Sequence, residues 1–204
     1  MRARLASGSV ERRGKRRVVV GLMGLAAVVG SVLTLHGCAG STFENRDPTG
    51  EMFPTVTGKS LEKVETVLPE ALAGEPAVVL IGYKQGAQFD IDRWAMGLIQ
   101  AGVGARIIEV PTIPGLVPTI ASGWIDDGMR SGIPREEWGS VVTLYGGSAG
   151  PVARLTGTEK GRLTRVLVLD GEGRIVWFDD EGYSPRKALR VAELLAGLDS
   201  LGED

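Results

Sequence analysis

The chain of 204 residues contains one cysteine, Cys38, and one histidine, His36. Both fall in its first fifth, so residues 39–204 hold neither a thiol nor an imidazole. For chemistry confined to that part, this excludes a serine or cysteine hydrolase that relies on histidine, a thiol oxidoreductase and the usual structural zinc sites. No phosphate loop fills the gap. The glycine-rich run Tyr145-Gly146-Gly147-Ser148-Ala149-Gly150-Pro151 lacks the Gly-Lys-Ser/Thr that grips phosphates and reads as a loop. There is no internal repeat. Carboxylate, lysine, hydroxyl or carboxylate-bound metal chemistry survives, and the acid pairs Asp126-Asp127 and Asp179-Asp180-Glu181 read first as solvated surface, because neighbours along a helix do not face one site.

Acid is scarce at the front. Arg2, Arg4, Arg12, Arg13, Lys15, Arg16 and Arg17 stand against Glu11 alone, followed by an uncharged stretch from Val18 to Leu35. That is the pattern of an export signal. The stretch ends in Leu35-His36-Gly37-Cys38, which resembles a bacterial lipobox. The resemblance implies cleavage before Cys38, lipidation of its sulfur and a palmitate-bearing protein with its body outside the cytoplasm, anchored in the cell membrane or outer membrane. Ala39, where an aspartate would favour inner-membrane retention, fits an outer-membrane destination in a host that has one. More than one acyl chain gives stable attachment. A retained spanning helix is the alternative, since Val18 to Gly37 is about the twenty residues a bilayer needs.

The expected organisation is a signal peptide over 1–37, the lipidated cysteine and a polar spacer over 38–54, and one domain over 55–200. Removing 1–37 takes away 7 of the 23 basic and 1 of the 25 acidic residues, leaving 16 against 24, a net charge of −8. Such an acidic body does not bind nucleic acid. It would also be repelled by anionic headgroups, so the anchor must hold it.

Within the domain, Ala77-Val78-Val79-Leu80-Ile81 is apolar throughout, as expected of a strand covered on both faces. Gly82 to Gln88 then reads as a loop, and a helix opens near Asp90, whose carboxylate is placed to cap the first turn. Its inward face is Ile91, Trp94, Ala95 and Leu98. After Gly102 and Gly104 a second strand covers Ala105 to Val110 and stops at Pro111, completing a right-handed parallel βαβ unit. A second helix spans Thr119 to Arg130, with Arg130 on its negative end, a left-handed cap at Gly132 and Pro134 beyond. Val141 to Tyr145 is a further strand. Arg165 to Asp170 and Arg174 to Phe178 flank Gly171-Glu172-Gly173 as a hairpin. Ser184-Pro185 starts a final helix with Ala188, Leu189, Ala192 and Leu195 on one stripe. The order predicts an α/β fold, a thioredoxin-like mixed central sheet with helices on both faces.

Several segments carry a family resemblance. Phe53-Pro54, Gly58-Lys59-Ser60-Leu61, Leu68-Pro69-Glu70 and Ala73-Gly74 resemble the opening of peroxiredoxin-like and thioredoxin-like domains. Gly128-Met129-Arg130-Ser131-Gly132-Ile133-Pro134, Val142-Thr143-Leu144-Tyr145-Gly146, and Leu169-Asp170 with Gly173-Arg174-Ile175-Val176-Trp177 are similar to the mitochondrial ATP-synthase assembly factor family. Its members help the proton-channel subunit join the complex. The resemblance runs from about Phe53 to Leu198 and implies the fold and a partner-binding role; fold by itself does not establish function.

Where a redox relative holds its cysteine pair, this chain has Gly82-Tyr83-Lys84-Gln85-Gly86-Ala87-Gln88, and no proline precedes Val166 where thioredoxins keep a cis-proline. Tyr83, Lys84 and Gln85 are therefore candidate partner-binding residues, on a loop that also reads as an ordinary connection. Trp124, Met129, Arg130 and Trp138 are the others, since aromatic residues anchor interfaces, while Arg130 also has its capping role and the two tryptophans read equally as packed side chains. No catalytic residue, metal or cofactor is assigned, and the expected partners are the membrane, through lipid, and a protein. The competing expectation is a carboxylate- or metal-dependent enzyme on the same scaffold, bringing together acids such as Asp90, Asp126 and Asp179.

Overall fold

A computed structural model of the chain describes residues 42–115 and 119–201. The basic front, His36 and Cys38 lie outside the described residues. Strand β3 (Ala77–Gly82) is buried at every position, and the two-residue period of a strand divides its side chains between two cores. Val79 and Ile81 enter one, Val78 and Leu80 the other. β6 (Arg165–Leu169) lies antiparallel beside β3 and divides in the same way, Leu167 and Leu169 against Val166 and Val168. On the other side of β3, β4 (Arg106–Ile113) and then β5 (Val142–Tyr145) continue the sheet in parallel. The hairpin of β1 (Val56–Ser60) and β2 (Glu65–Leu68) adds antiparallel to β5, and β7 (Ile175–Asp179) pairs antiparallel with β6. The order is β2-β1-β5-β4-β3-β6-β7, a mixed sheet.

Helices cover both faces. α1 (Gln88–Gln100) contributes Ile91, Trp94 and Leu98 to the Val78–Leu80 core, and α4 (Pro185–Leu201) adds Ala188, Val191 and Leu195. Trp94 packs edge-on against Trp177 and Tyr183, with ring centroids 6.1 and 5.6 Å apart. The opposite core receives Ala149, Val152 and Leu155 from α3 (Ala149–Thr156), together with Phe53 and Leu72. The remaining helix, α2 (Thr119–Gly132), follows β4.

Several expectations change. β4 runs through Pro111 to Ile113, and its ladder to β5 has a bridge at Glu109 and pairs from Thr112 on, skipping the proline, which has no N–H to offer. The run 145–151 is not all loop: α3 opens inside it with Pro151 in the first turn, where a missing N–H costs nothing. Gly132 ends α2 as a helical residue and takes no left-handed cap; Pro134 instead leads into a 3-10 helix, Arg135–Ser140. On α4, Leu189 faces out and Val191 takes the inward place. The β6–β7 hairpin forms as expected, with Gly173 at φ +85° and Asp170 Oδ1 accepting from the amides of Glu172 (3.0 Å) and Arg174 (2.8 Å).

The segment read as a spacer belongs to the body in its described part. Gly50 and Phe53 donate from their amides to Ile175 and Gly173, and the Phe53 ring is buried. Its polarity misled, because its hydrogen bonds go to the chain more than a hundred residues away.

Asp90 differs most usefully. α1 opens at Gln88, directly after a 3-10 helix at Gln85–Ala87, so its first turn continues an existing one and needs no side-chain cap. The carboxylate leaves the helix instead: Oδ2 accepts from the amide of Thr164 (3.0 Å) and Oδ1 from that of Tyr183 (2.9 Å). One buried side chain thus ties α1 to the entries of β6 and α4. Asp90→Ala strands both amides and is expected to cost about 2–4 kcal/mol, read as a lower urea midpoint at unchanged m-value.

Candidate functional site

In sheets with parallel strands, binding sites form beyond the carboxyl ends of those strands. At that end β3 delivers Tyr83, and the chain returning to β6 delivers Arg165. Arg165 is completely buried. Its Nη1 donates to the carbonyls of Lys160 (2.8 Å) and Leu163 (2.9 Å), and its Nη2 to Asn45 Oδ1 (2.9 Å). The guanidinium carbon lies 5.4 Å from the Tyr83 ring centroid. Tyr83 is half-buried; its hydroxyl donates to the Val152 carbonyl (3.1 Å) and lies 2.7 Å from Thr156 Oγ1. Burial pushes that hydroxyl up to about 12, so at neutral pH it is a neutral hydrogen-bonding group and no nucleophile. Burial also pushes the Arg165 pKa down.

The clasp reaches the amino-terminal segment through Asn45. Asn45 Nδ2 donates to Asp180 Oδ2 (2.7 Å), and Lys160 Nζ approaches Asp180 Oδ1 at 3.6 Å. Beside it the Phe43 amide donates to Thr158 Oγ1 (3.0 Å), and the Thr158 amide to the Phe43 carbonyl (2.8 Å). Gly157, at φ +74°, lets this strap lie close: a Cβ there would overlap the backbone of Glu44 and Asn45. A filled, hydrogen-bonded plug therefore occupies this end of the sheet. Lys84 and Gln85 stand outside it, exposed. Thr164, buried, precedes β6, and the cis peptide found among the described residues is Leu68-Pro69, elsewhere.

The other candidate residues gather around α2. Arg130 is occupied: its Nε donates to the Leu61 carbonyl (2.7 Å), its Nη1 pairs with Asp127 Oδ1 (2.7 Å), and it lies 5.8 Å over the Trp138 ring. Trp138 is half-buried, donates from Nε1 to the Ile133 carbonyl (3.0 Å) and has Arg135 over its ring at 5.9 Å. Met129 is half-buried. Trp124 is different, 83% exposed beside the partly exposed Ile125. A cleft of about 370 Å³ is lined by Asn45, Arg46, Asp47, Lys160 and 178–181, and none of the seven candidates lines it.

The three acids of the enzyme reading go to separate partners. Asp90 holds the two amides described above, Asp126 accepts from the Tyr145 hydroxyl (2.8 Å), and Asp179 pairs with Lys187 Nζ (2.6 Å). Burial, then Asp126, raises the Tyr145 pKa; burial raises that of Asp179 against the pull of Lys187. Among the described residues no three histidine, cysteine or acidic side chains gather so as to hold a metal ion.

Two charged residues escaped the sequence reading: Glu109, which interrupts the apolar run Ile-Ile-Glu-Val, and Arg165, which opens the run Arg-Val-Leu-Val-Leu. Glu109 Oε1 is buried without a hydrogen-bond partner among the described residues. Burial pushes its carboxyl up to about 7, Asp92 and Glu137 push the same way, and a hydrogen bond with the Gln88 side chain pulls it back.

No family model matches the chain, and no curated protein matches it in sequence. Solved structures do match. A thiol peroxidase from Chromobacterium violaceum aligns at 10% identity over 79% of this chain and 93% of that one, with a TM-score of 0.50. The exposed lipoprotein thioredoxin of Streptococcus pneumoniae aligns at 13% identity over 70% and 100%, TM-score 0.48, and copper-bound ScoI of Arabidopsis thaliana at 11% over 72% and 99%, TM-score 0.49. The fold is thioredoxin-like, as the order of elements predicted. The likeness is of fold, and this chain has one cysteine and no CxxC pair.

Glu109 gives a signed test. The folded chain holds its proton more tightly than the unfolded one, whose carboxyl titrates near 4.5. Ionisation therefore costs the fold above about pH 7, and that cost fades as the pH falls to 4.5. Glu109→Gln is expected to stabilise by about 2–3 kcal/mol at pH 8 and by almost nothing at pH 4, measured as the pH dependence of the urea midpoint of both proteins.

Proposed function

We propose that the chain is a membrane-anchored, redox-inactive thioredoxin-like lipoprotein whose body binds another membrane or envelope protein, as an assembly or chaperone-like factor. The observation that carries the reading is Trp124. A tryptophan 83% exposed on a helix, next to a partly exposed isoleucine, leaves a large apolar surface in water without return. Tryptophan is among the residues that most often carry interface energy. The plug at the carboxyl end of β3 supports the redox-inactive part, since Tyr83 and Arg165 fill the place of a thiol pair with groups that exchange no electrons. The lipobox-like Leu35-His36-Gly37-Cys38 supports the anchor.

The finer reading is a role like that of the ATP-synthase assembly factors, supported by the resembling segments 128–134, 142–146, 169–170 and 173–177. A lipobox is not part of the mitochondrial pattern, and a body outside the cytoplasm faces away from the compartment where the catalytic head of the synthase is assembled. A membrane-embedded partner suits this chain better than a soluble one.

A photo-crosslinking amino acid at position 124, in intact cells at native expression, is expected to capture a membrane or envelope protein. Trp124→Ala is expected to move stability by less than about 0.5 kcal/mol while weakening that association by about tenfold or more. Absence of any such adduct would contradict the proposal.

A further inference from the structure

The amino-terminal strap enters the body at the same end of the sheet as the loop after β3. Phe43 pairs with Thr158, and Asn45 bonds Arg165, which stands against Tyr83. From there the chain runs toward the far end, where Phe53 meets Gly173. Cys38 is five residues before Phe43. Even fully extended, that tether spans at most about 15–18 Å, less than half the diameter of a domain of this size, about 40 Å.

From this we infer that the loop end of the body, Lys84 and Gln85 with Phe89 and Arg162, lies against the anionic headgroup surface of the bilayer that carries the anchor. The inference rests on the proposed lipidation of Cys38 and adds an orientation to it. The side chains suit that surface. Among the described residues, Lys84, Arg154 and Arg162 have no carboxylate partner. Arg162 lies beside Gly86 and Lys84 beside Gly161, so the two cations flank one loop. Of the nearby carboxylates, Asp180 is paired with Lys160, Glu159 accepts from the Asn45 amide and keeps its charge, and Glu44, Asp47 and Glu181 are exposed. Phe89, in the first turn of α1, is 73% exposed, an apolar group at the level where headgroups begin. A body of net charge −8 is repelled by an anionic surface as a whole, and Lys84 and Arg162 are the charges at this loop that oppose the repulsion within a Debye length.

The test uses the full chain, produced in a host that processes lipoproteins and reconstituted into vesicles of phosphatidylcholine and phosphatidylglycerol with a headgroup spin-labelled lipid. With Cys38 acylated, an introduced cysteine is the sole thiol available to a fluorophore. Gln85→Cys is expected to be quenched about threefold or more strongly than Glu172→Cys at the far hairpin, and Lys84→Glu with Arg162→Glu, or added salt, to reduce the difference. Equal quenching at the two positions, or stronger quenching at 172, in acylated protein overturns the orientation alone. The mass of the amino-terminal peptide separates the other failure: an unmodified chain that does not bind the vesicles overturns the anchor and the orientation with it.

Discussion

A guanidinium taken wholly out of water, that of Arg165, joins three stretches of chain at the carboxyl end of β3. Stripping such a charge of solvent costs several kcal/mol, and Arg165 offsets part of it through two backbone carbonyls, the Asn45 amide oxygen and the face of Tyr83, while its Nε is buried without a hydrogen-bond partner among the described residues. The partners come from three stretches of chain. Arg165 links the strap carrying Asn45, the loop carrying Tyr83 and the turn at 160–163 at one point. The space beyond the carboxyl end of β3 is thereby filled by these contacts.

The rest of the fold allows this. β3 and β6 are buried on both sides, so the sheet needs no help from its carboxyl end to separate two cores. Asp90 fixes how α1 leaves that end, holding the Thr164 amide one residue before Arg165. On α2, Arg130 bonds the Leu61 carbonyl and lies over the Trp138 ring, while Trp124 stays outward.

Much of the fold was legible because burial leaves strong periodic marks. The unbroken apolar run of β3, the inward stripe of α1 and the glycines of the β6–β7 hairpin each allow one local structure. The β1–β2 hairpin was not legible: five- and four-residue strands containing Gly58, Lys59 and Glu65 lie at the sheet edge and show little period. α3 hid in a glycine-rich stretch because eight residues offer barely two turns of pattern. The strap looked like a spacer since polar residues normally face water, and nothing within residues 42–54 records that Arg165, 120 positions after Asn45, will claim it. For the site, the absence of a thiol pair was visible at once, whereas Trp124 and Trp138 read alike in sequence. Their difference is made by Arg130, Arg135 and the Ile133 carbonyl, which take one ring and leave the other.

Amide hydrogen exchange in the native protein and in Arg165→Met tests the clasp most directly. If Arg165 holds the strap and loop as described, the variant loses protection by about tenfold or more at Phe43, Asn45, Thr158 and Glu159 while the central amides of β3 keep theirs. Unchanged exchange at those four amides, or an equal loss throughout the sheet, would contradict the account.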